Sequence, residues 1–285
     1  MKAQLNIMTV DLEEWFHAFY EADSGAWDNL ESRINRNTDY ILDVFTKHDV
    51  GATFFIVGWI ARKYPELVKR IAGAGFDIGS HSDMHKVAFG MSKQGFMEDV
   101  KRSVSTLEEI ICCKVKSYRA PFFSITESVI QYLETLHQLQ IEVDSSICPC
   151  KTVYSGYPNF PEYGPCFLEI DGWQIKEIPV STTRFLGQRF IYSGGGYFRL
   201  LPGWLIKRCF QSKNYNHSYF HPRDFDVVQP DYHASLVDNI KRKIGVSGAR
   251  QKFEMLASLL QFTDIQSANK LIDWSEAPVV KISPK

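Results

Sequence analysis

The chain has 285 residues, 45% hydrophobic and 14% aromatic, and its 32 Lys and Arg against 33 Asp and Glu leave a formal charge of -1. That is ample apolar material for one sizeable core, and too little net charge for a polyanion-binding surface, so nucleic acid is excluded as a partner. The opening MKAQLNIMTVDLEEW is broken by Asn6 and stopped by Asp11, fits neither a secretory signal nor a membrane span, and no later run approaches ~20 apolar residues; a cytoplasmic protein without a transmembrane segment is expected.

In chain order, residues 5–10 read as a buried strand that halts at the carboxylates Asp11, Glu13 and Glu14. Residues 33–48 carry Ile34, Tyr40, Ile41, Val44 and Phe45 at helical spacing, with Gly51 as a stop signal. Residues 52–58, ATFFIVG, are a strand candidate, and residues 61–74 a helix with Leu67, Val68 and Ile71 on one face. A strand then leads to His81 and His85, two imidazoles four residues apart where the chain is expected to turn from strand into helix, a spacing that lets both meet one metal ion. Residues 92–111 read as a long helix capped by Ser92, and residues 117–124, SYRAPFFS, as a strand end running into a proline turn. Residues 127–139 suggest another helix and residues 141–144 another strand, again ending on an acid. This alternation predicts a parallel α/β sheet or barrel with outer helices.

Residues 149–172 are rich in Pro, Gly and Tyr, without helical periodicity. They suit either a packed surface loop or an aromatic wall for sugar rings, with Tyr154 to Phe167 and Trp173 favouring sugar. The glycines of SGGGYFRLLP permit a tight turn near a ligand or a simple bend, and no Lys-Ser/Thr pair follows them to make a phosphate loop. HSYFHP at 217–222 is the last strand-like piece, followed by helices at 231–243 and from 251 onward. The six cysteines, including the Cys148 and Cys150 pair, are expected as reduced thiols.

The polar groups that end apolar runs are Asp11 with Glu13, His81 with His85, Arg119, Asp144 and His221. In a parallel β/α barrel such positions share the carboxyl face, so groups distant in sequence meet at one mouth. Imidazole and carboxylate ligands with a further carboxylate as base and a separate histidine as acid amount to a metal-dependent hydrolase of an amide or ester.

TVDLEEWFH at 9–17, GSHSDMH at 79–85, YRAPFFS at 118–124, DSS at 144–146 and YFHP at 219–222 resemble, in order, the five motifs of the polysaccharide deacetylases, carbohydrate esterase family four. SGGGYFRLLP and FHPRDFD are similar to the subgroup of bacterial exopolysaccharide and surface-glycan clusters. The resemblance implies a distorted (β/α)7-type barrel spanning about residues 1–225 with a short C-terminal helical extension over about 226–285, the whole a single catalytic domain. It also implies metal-assisted removal of N-acetyl groups from an N-acetylated sugar or oligosaccharide. By position, Asp11 becomes the general base, His81 and His85 metal ligands, and His221 the general acid. Arg119 pairs with Asp11, Asp144 hydrogen-bonds the far nitrogen of His221, and the backbone N–H of Phe122, after Pro121, becomes the oxyanion donor.

One departure stands out: where the family has two adjacent aspartates, the second place here is Leu12. Asp11 and Glu13 point to one side of an extended backbone, so Glu13 replaces the missing ligand, with Asp11 as the rival ligand and Glu13 or Glu14 then the base. The His, His, carboxylate set suits zinc, with cobalt or nickel next and magnesium disfavoured. Two other readings are a metal-dependent amidohydrolase on small cyclic amides or imides, and a non-catalytic glycan-binding module that lost its metal through Leu12.

Overall fold

The structure, a computed structural model, describes residues 4–19, 24–161, 164–185, 187–230 and 236–282. Its strands are β1 (Leu5–Leu12), β2 (Thr53–Ile56), β3 (Asp77–Ser80), β4 (Ser117–Tyr118), β5 (Val143–Asp144), β6 (Cys166–Ile170), β7 (Trp173–Glu177), β8 (Thr182–Phe185), β9 (Gln188–Ile191), β10 (Tyr215–Phe220) and β11 (Val279–Ile282). The main sheet runs β10-β1-β2-β3-β4-β5-β7-β6-β11, and each neighbouring pair from β10 to β7 is parallel. Among the described residues these seven strands do not pair into a closed barrel, although their two ends approach each other. Just past β7, Ser181 N donates to His217 O on β10 at 3.1 Å, and His217 N donates back to Ser181 Oγ at 2.8 Å.

Burial on both faces explains the continuous apolar runs of β1 and β2. Their pleat sorts side chains into two layers: Met8, Val10, Leu12, Phe54 and Ile56 join the large core beneath the helices, whereas Ile7 and Phe55 meet Val143 and Ile178 inside. The outer layer includes α1 (Ile34–His48), α2 (Gly58–Lys63), α3 (Pro65–Gly73) and α4 (Lys93–Ile111). Ser92 caps α4 by accepting from Gly95 N at 3.1 Å. Gly79 is required by close approach: a Cβ there would lie 2.5 Å from the Phe55 ring.

Several expectations are corrected. Asp49, in the left-handed region at φ 52°, ends α1 ahead of Gly51. The helix expected over 61–74 is two, because Pro65 cannot continue α2 and instead opens α3. His81 to His85 form a loop rather than a helix start. The helix expected over 127–139 is a 3-10 turn, Ile130–Leu133, followed by Glu134–Gln138. The end of the 149–172 segment is the first half of a β6–β7 hairpin, turned by Asp171 and Gly172 at φ 48° and 85°. In the helix expected over 231–243, residues 231–235 lie outside the described residues and Leu236–Lys243 is helical.

The C-terminal part is tied to the main sheet through β1 and β6. Thr263 N donates to Asn6 O at 2.9 Å and Met8 N to Thr263 O at 3.0 Å, while Ile265 and Ala268 pack against Ile7 and Phe55. β11 then extends the sheet beside β6. Gly194 marks a close backbone approach to β10, where a Cβ would lie 1.9 Å from Tyr219 O. Among the described residues, no helix is long and apolar enough to cross a membrane.

Candidate active site

The alternation of β1 carries Thr9, Asp11 and, one step past its end, Glu13 toward the inside, while Leu12 is fully buried among the outer core. An acid at position 12 would face the helices, which is why the carboxylate serving this cavity sits at position 13. Glu14 turns away: its Oε1 accepts from Ser32 Oγ and from the backbone of Arg33 at 3.1 Å and Ile34 at 3.2 Å, tying down the start of α1. Burial raises the Glu14 pKa, opposed by those hydrogen bonds.

Arg119, fully buried, uses every donor of its guanidinium. Nη1 donates to Asp11 Oδ1 and Thr9 Oγ1, both at 2.7 Å; Nη2 donates to Ser145 Oγ at 2.8 Å and His217 Nε2 at 2.9 Å; Nε donates to Ser145 O at 3.1 Å. Its face lies 4.3 Å over the Phe55 ring, which itself fills the room left by Gly79. Burial alone would raise the Asp11 pKa, but Arg119, with His81 and His221, outweighs it and holds the carboxyl below its ordinary value. His217 is held well below the usual imidazole range by burial and by Arg119, so it accepts from the guanidinium as a neutral ring.

His81 follows β3, and its Nδ1–H donates to Arg119 O at 2.8 Å, leaving the Nε2 lone pair toward Glu13. His85 sits in a loop whose Ser82 and His85 have φ of 65° and 51°. That loop is pinned by Asp99, which accepts from Asp83 N at 2.8 Å and Met84 N at 3.2 Å, and by the Arg62–Asp83 ion pair. His85 Nε2 contacts Glu13 Oε2, which lies 4.0 Å from His81 Nε2. The buried His17 ring stacks on His85 at 5.2 Å. Burial pushes the pKa values of His81 and His85 down to about 3, so both imidazoles are neutral.

Glu13, His81 and His85 each present one donor atom within 4.8 Å of the others, all three residues buried. Two neutral imidazoles with the tautomer of one fixed, plus a carboxylate oxygen, are a donor set that fits a divalent cation. Asp11 is engaged by Arg119, which leaves Glu13 as the carboxylate that meets both imidazoles.

His221, just after β10, has Nε2 3.9 Å from Asp11 Oδ2 and 3.5 Å from Glu13 Oε1. Its Nδ1 meets Asp224 Oδ2 at 2.9 Å, and the same oxygen accepts from His221 N at 2.9 Å. The expected partner, Asp144, is elsewhere. It ends β5, next to β7, and its Oδ1 accepts from Ser146 Oγ at 2.5 Å, with Glu177 of β7 beside it. Burial raises the Asp144 pKa to about 6, and burial with Asp144's own charge pushes Glu177 well up, so this pair retains a proton. Asp224 is driven the other way by His221, Arg199 and Arg223, which outweigh its burial.

Phe122, at φ 56° in the 3-10 turn Pro121–Phe123, places its ring 5.0 Å from His85 and 5.3 Å from the exposed Tyr154. Other aromatics of the predicted sugar loop are structural. Tyr157 and Phe160 are buried, and Phe167 and Trp173 face Trp274 and His137; Tyr163 lies outside the described residues. Sequence reasoning missed Asp224, Arg223 and His217. A trace of the first was legible, since an acid three residues after His221 can close a turn back onto it.

Residues 23–140 match the profile described as polysaccharide deacetylase, and residues 145–270 match a domain of unknown function (DUF3473). A peptidoglycan-N-acetylglucosamine deacetylase of Bacillus cereus is 28% identical over 125 residues, 41% of this chain and 46% of that one. A chitooligosaccharide deacetylase of Sinorhizobium fredii is 30% identical over 98 residues, 33% of this chain and 44% of that one. The chain thus spans less than half the length of these relatives. In fold it is similar to a solved structure from Mycobacterium smegmatis assigned as a polysaccharide deacetylase, with a TM-score of 0.65 at 16% identity over 94% of this chain and 90% of that one. A solved allantoinase has a TM-score of 0.59 at 14% identity over 95% and 90%. The polysaccharide deacetylase profile thus spans the GSHSDMH and YRAPFFS motifs, and the fold of the chain is similar to that of the Mycobacterium smegmatis structure.

Proposed function

We propose that the chain is a metal-dependent carbohydrate N-deacetylase, a hydrolase that removes N-acetyl groups from amino sugars of a bacterial glycan or glycan precursor. The observation that carries this reading is the buried convergence of Glu13, His81 and His85, with Asp11 and His221 beside them. Those three residues would hold zinc, or cobalt or nickel, which when bound acts as a Lewis acid toward water and the acetyl carbonyl. Asp11, ionised by Arg119 at Oδ1, keeps Oδ2 free to take a proton from the attacking water. His221, oriented through Nδ1 by Asp224, presents Nε2 to deliver a proton to the departing amine. The backbone N–H of Phe122 would stabilise the developing oxyanion, a contribution of about 3 kcal/mol for one well-placed donor. Tyr154 and Phe122 offer aromatic faces for a pyranose ring at the mouth.

The test is acetate release from a panel of N-acetylated sugars and oligomers, metal-free and with zinc, cobalt or nickel, for wild type, Glu13→Ala, Asp11→Asn and His221→Ala. Metal-dependent release is expected, with metal lost in Glu13→Ala and turnover but not metal lost in the other two. Ring opening of cyclic amides without acetate from any sugar would reassign the chain as a small-molecule amidohydrolase. Sugar binding with no turnover under any metal would make it a glycan-binding module.

A further inference from the structure

The two oxygens of Glu13 have different neighbours. Oε2 is the one at His85 Nε2 and near His81, while Oε1 accepts from Arg223 Nη1. Arg223 belongs to the 3-10 turn Pro222–Phe225, which Asp224 closes by accepting from His221 N. The Arg223 carbonyl accepts from Gln229 Nε2 at 2.6 Å and from Asp226 N at 3.2 Å, so its backbone is held by two donors. The guanidinium therefore reaches Glu13 from a turn held at its carbonyl and closed by Asp224.

We propose that Arg223 is a positioning residue for the carboxylate ligand, engaging Oε1 so that Oε2 alone is presented beside the two imidazoles. This rests on the metal-dependent reading given above. Glu13 carries one more rotatable bond than an aspartate would, and a metal that captures a freely rotating glutamate must overcome more lost rotamer freedom. Arg223 removes that freedom beforehand. It also supplies a countercharge to a carboxylate that is only 2% exposed. One short turn thus serves two groups: Asp224 orients His221 and Arg223 orients Glu13.

A different role for the same contact has the opposite sign. An arginine that competes with the cation for Glu13 would weaken metal binding, whereas one that orients Glu13 strengthens it. The test measures zinc affinity of the full chain by competition with a chromophoric chelator, for wild type, Arg223→Met, Arg223→Lys, Glu13→Gln and the Arg223→Met/Glu13→Gln double variant. Positioning predicts a ten- to hundredfold loss of zinc affinity in Arg223→Met, the range for removing an outer partner of a ligand. Arg223→Lys should recover part of it, because the cation returns without the planar fork. In the Glu13→Gln background, which keeps both imidazoles, Arg223→Met should cost under about twofold. Cobalt absorption bands should shift in Arg223→Met and be closer to wild type in Arg223→Lys. Unchanged or tighter zinc binding in Arg223→Met would overturn the proposal, as would an equal loss in the Glu13→Gln background, the mark of a general structural effect. Wild type that binds no zinc would overturn the metal reading itself.

Discussion

Replacing Asp224 by Asn keeps the shape of the side chain and removes its charge. Two donors on His221, Nδ1–H and the backbone N–H, converge on Oδ2 at 2.9 Å each, and Arg199 Nε lies 3.4 Å from Oδ1. An amide has one oxygen for these two sides. Either its NH2 faces the donors of His221 or it faces the Arg199 cation, so the imidazole loses a charge-assisted partner and its fixed orientation. If His221 is the proton donor to the leaving amine, the loss is of the order of a whole general-acid contribution, about 10²–10⁴ in kcat, or roughly 3–5 kcal/mol. The assay is kcat and KM for acetate release with saturating zinc, alongside zinc affinity, which should change by no more than a few fold. Asp144→Asn is the control and should leave kcat within about threefold, because Asp144 is bonded to Ser146 and does not reach His221. Asp224→Asn within threefold of wild type, with Asp144→Asn collapsing kcat, would refute the assignment and restore Asp144 as the partner.

Arg119→Met strips a fully buried Asp11 carboxylate of its cation and should destabilise the fold by about 3–5 kcal/mol, read as a fall of roughly 6–15 °C in Tm; an unchanged Tm would show that the pair is not buried as described. Leu12→Asp, which restores the family's acidic pair in sequence, should neither bind metal in a Glu13→Ala background nor be tolerated, because position 12 faces the outer core; recovered zinc binding would show that the strand turns differently. Stability should also depend on pH through Asp144. Its folded pKa, about 6, lies above the ordinary 3.8, so the folded state binds more protons than the unfolded one between these values. Its stabilising contribution is complete below about pH 4 and is lost as pH rises through about 6. Urea unfolding across pH 4–7 should show that decline in wild type and a shallower one in Asp144→Asn; equal slopes would sink the inference.

How far the sequence reaches depends on whether a feature is local. Strands that end on polar groups, α1 and α4 with their apolar stripes, and the cap at Ser92 were all readable, because each is set by residues a few positions apart. Local punctuation was also present where it was overlooked: Pro65 breaks a helical stripe, and Asp171-Gly172 turns the β6–β7 hairpin.

Which polar groups crowd the carboxyl ends of the strands is legible in the chain alone, since alternation along β1 is intrinsic to an extended chain and sends Asp11 and Glu13 one way and Leu12 the other. Their pairing depends on how the strands are ordered in the folded sheet. Asp144 was assigned to His221 by motif order, but strand order puts β5 beside β7 and β10 beside β1, so Asp144 meets Glu177 while His221 takes Asp224 from its own turn. Arg223 at Glu13 and His217 at Arg119 were beyond reach for the same reason. Contacts across a curled sheet depend on register and strand order, and no window of neighbouring residues encodes either.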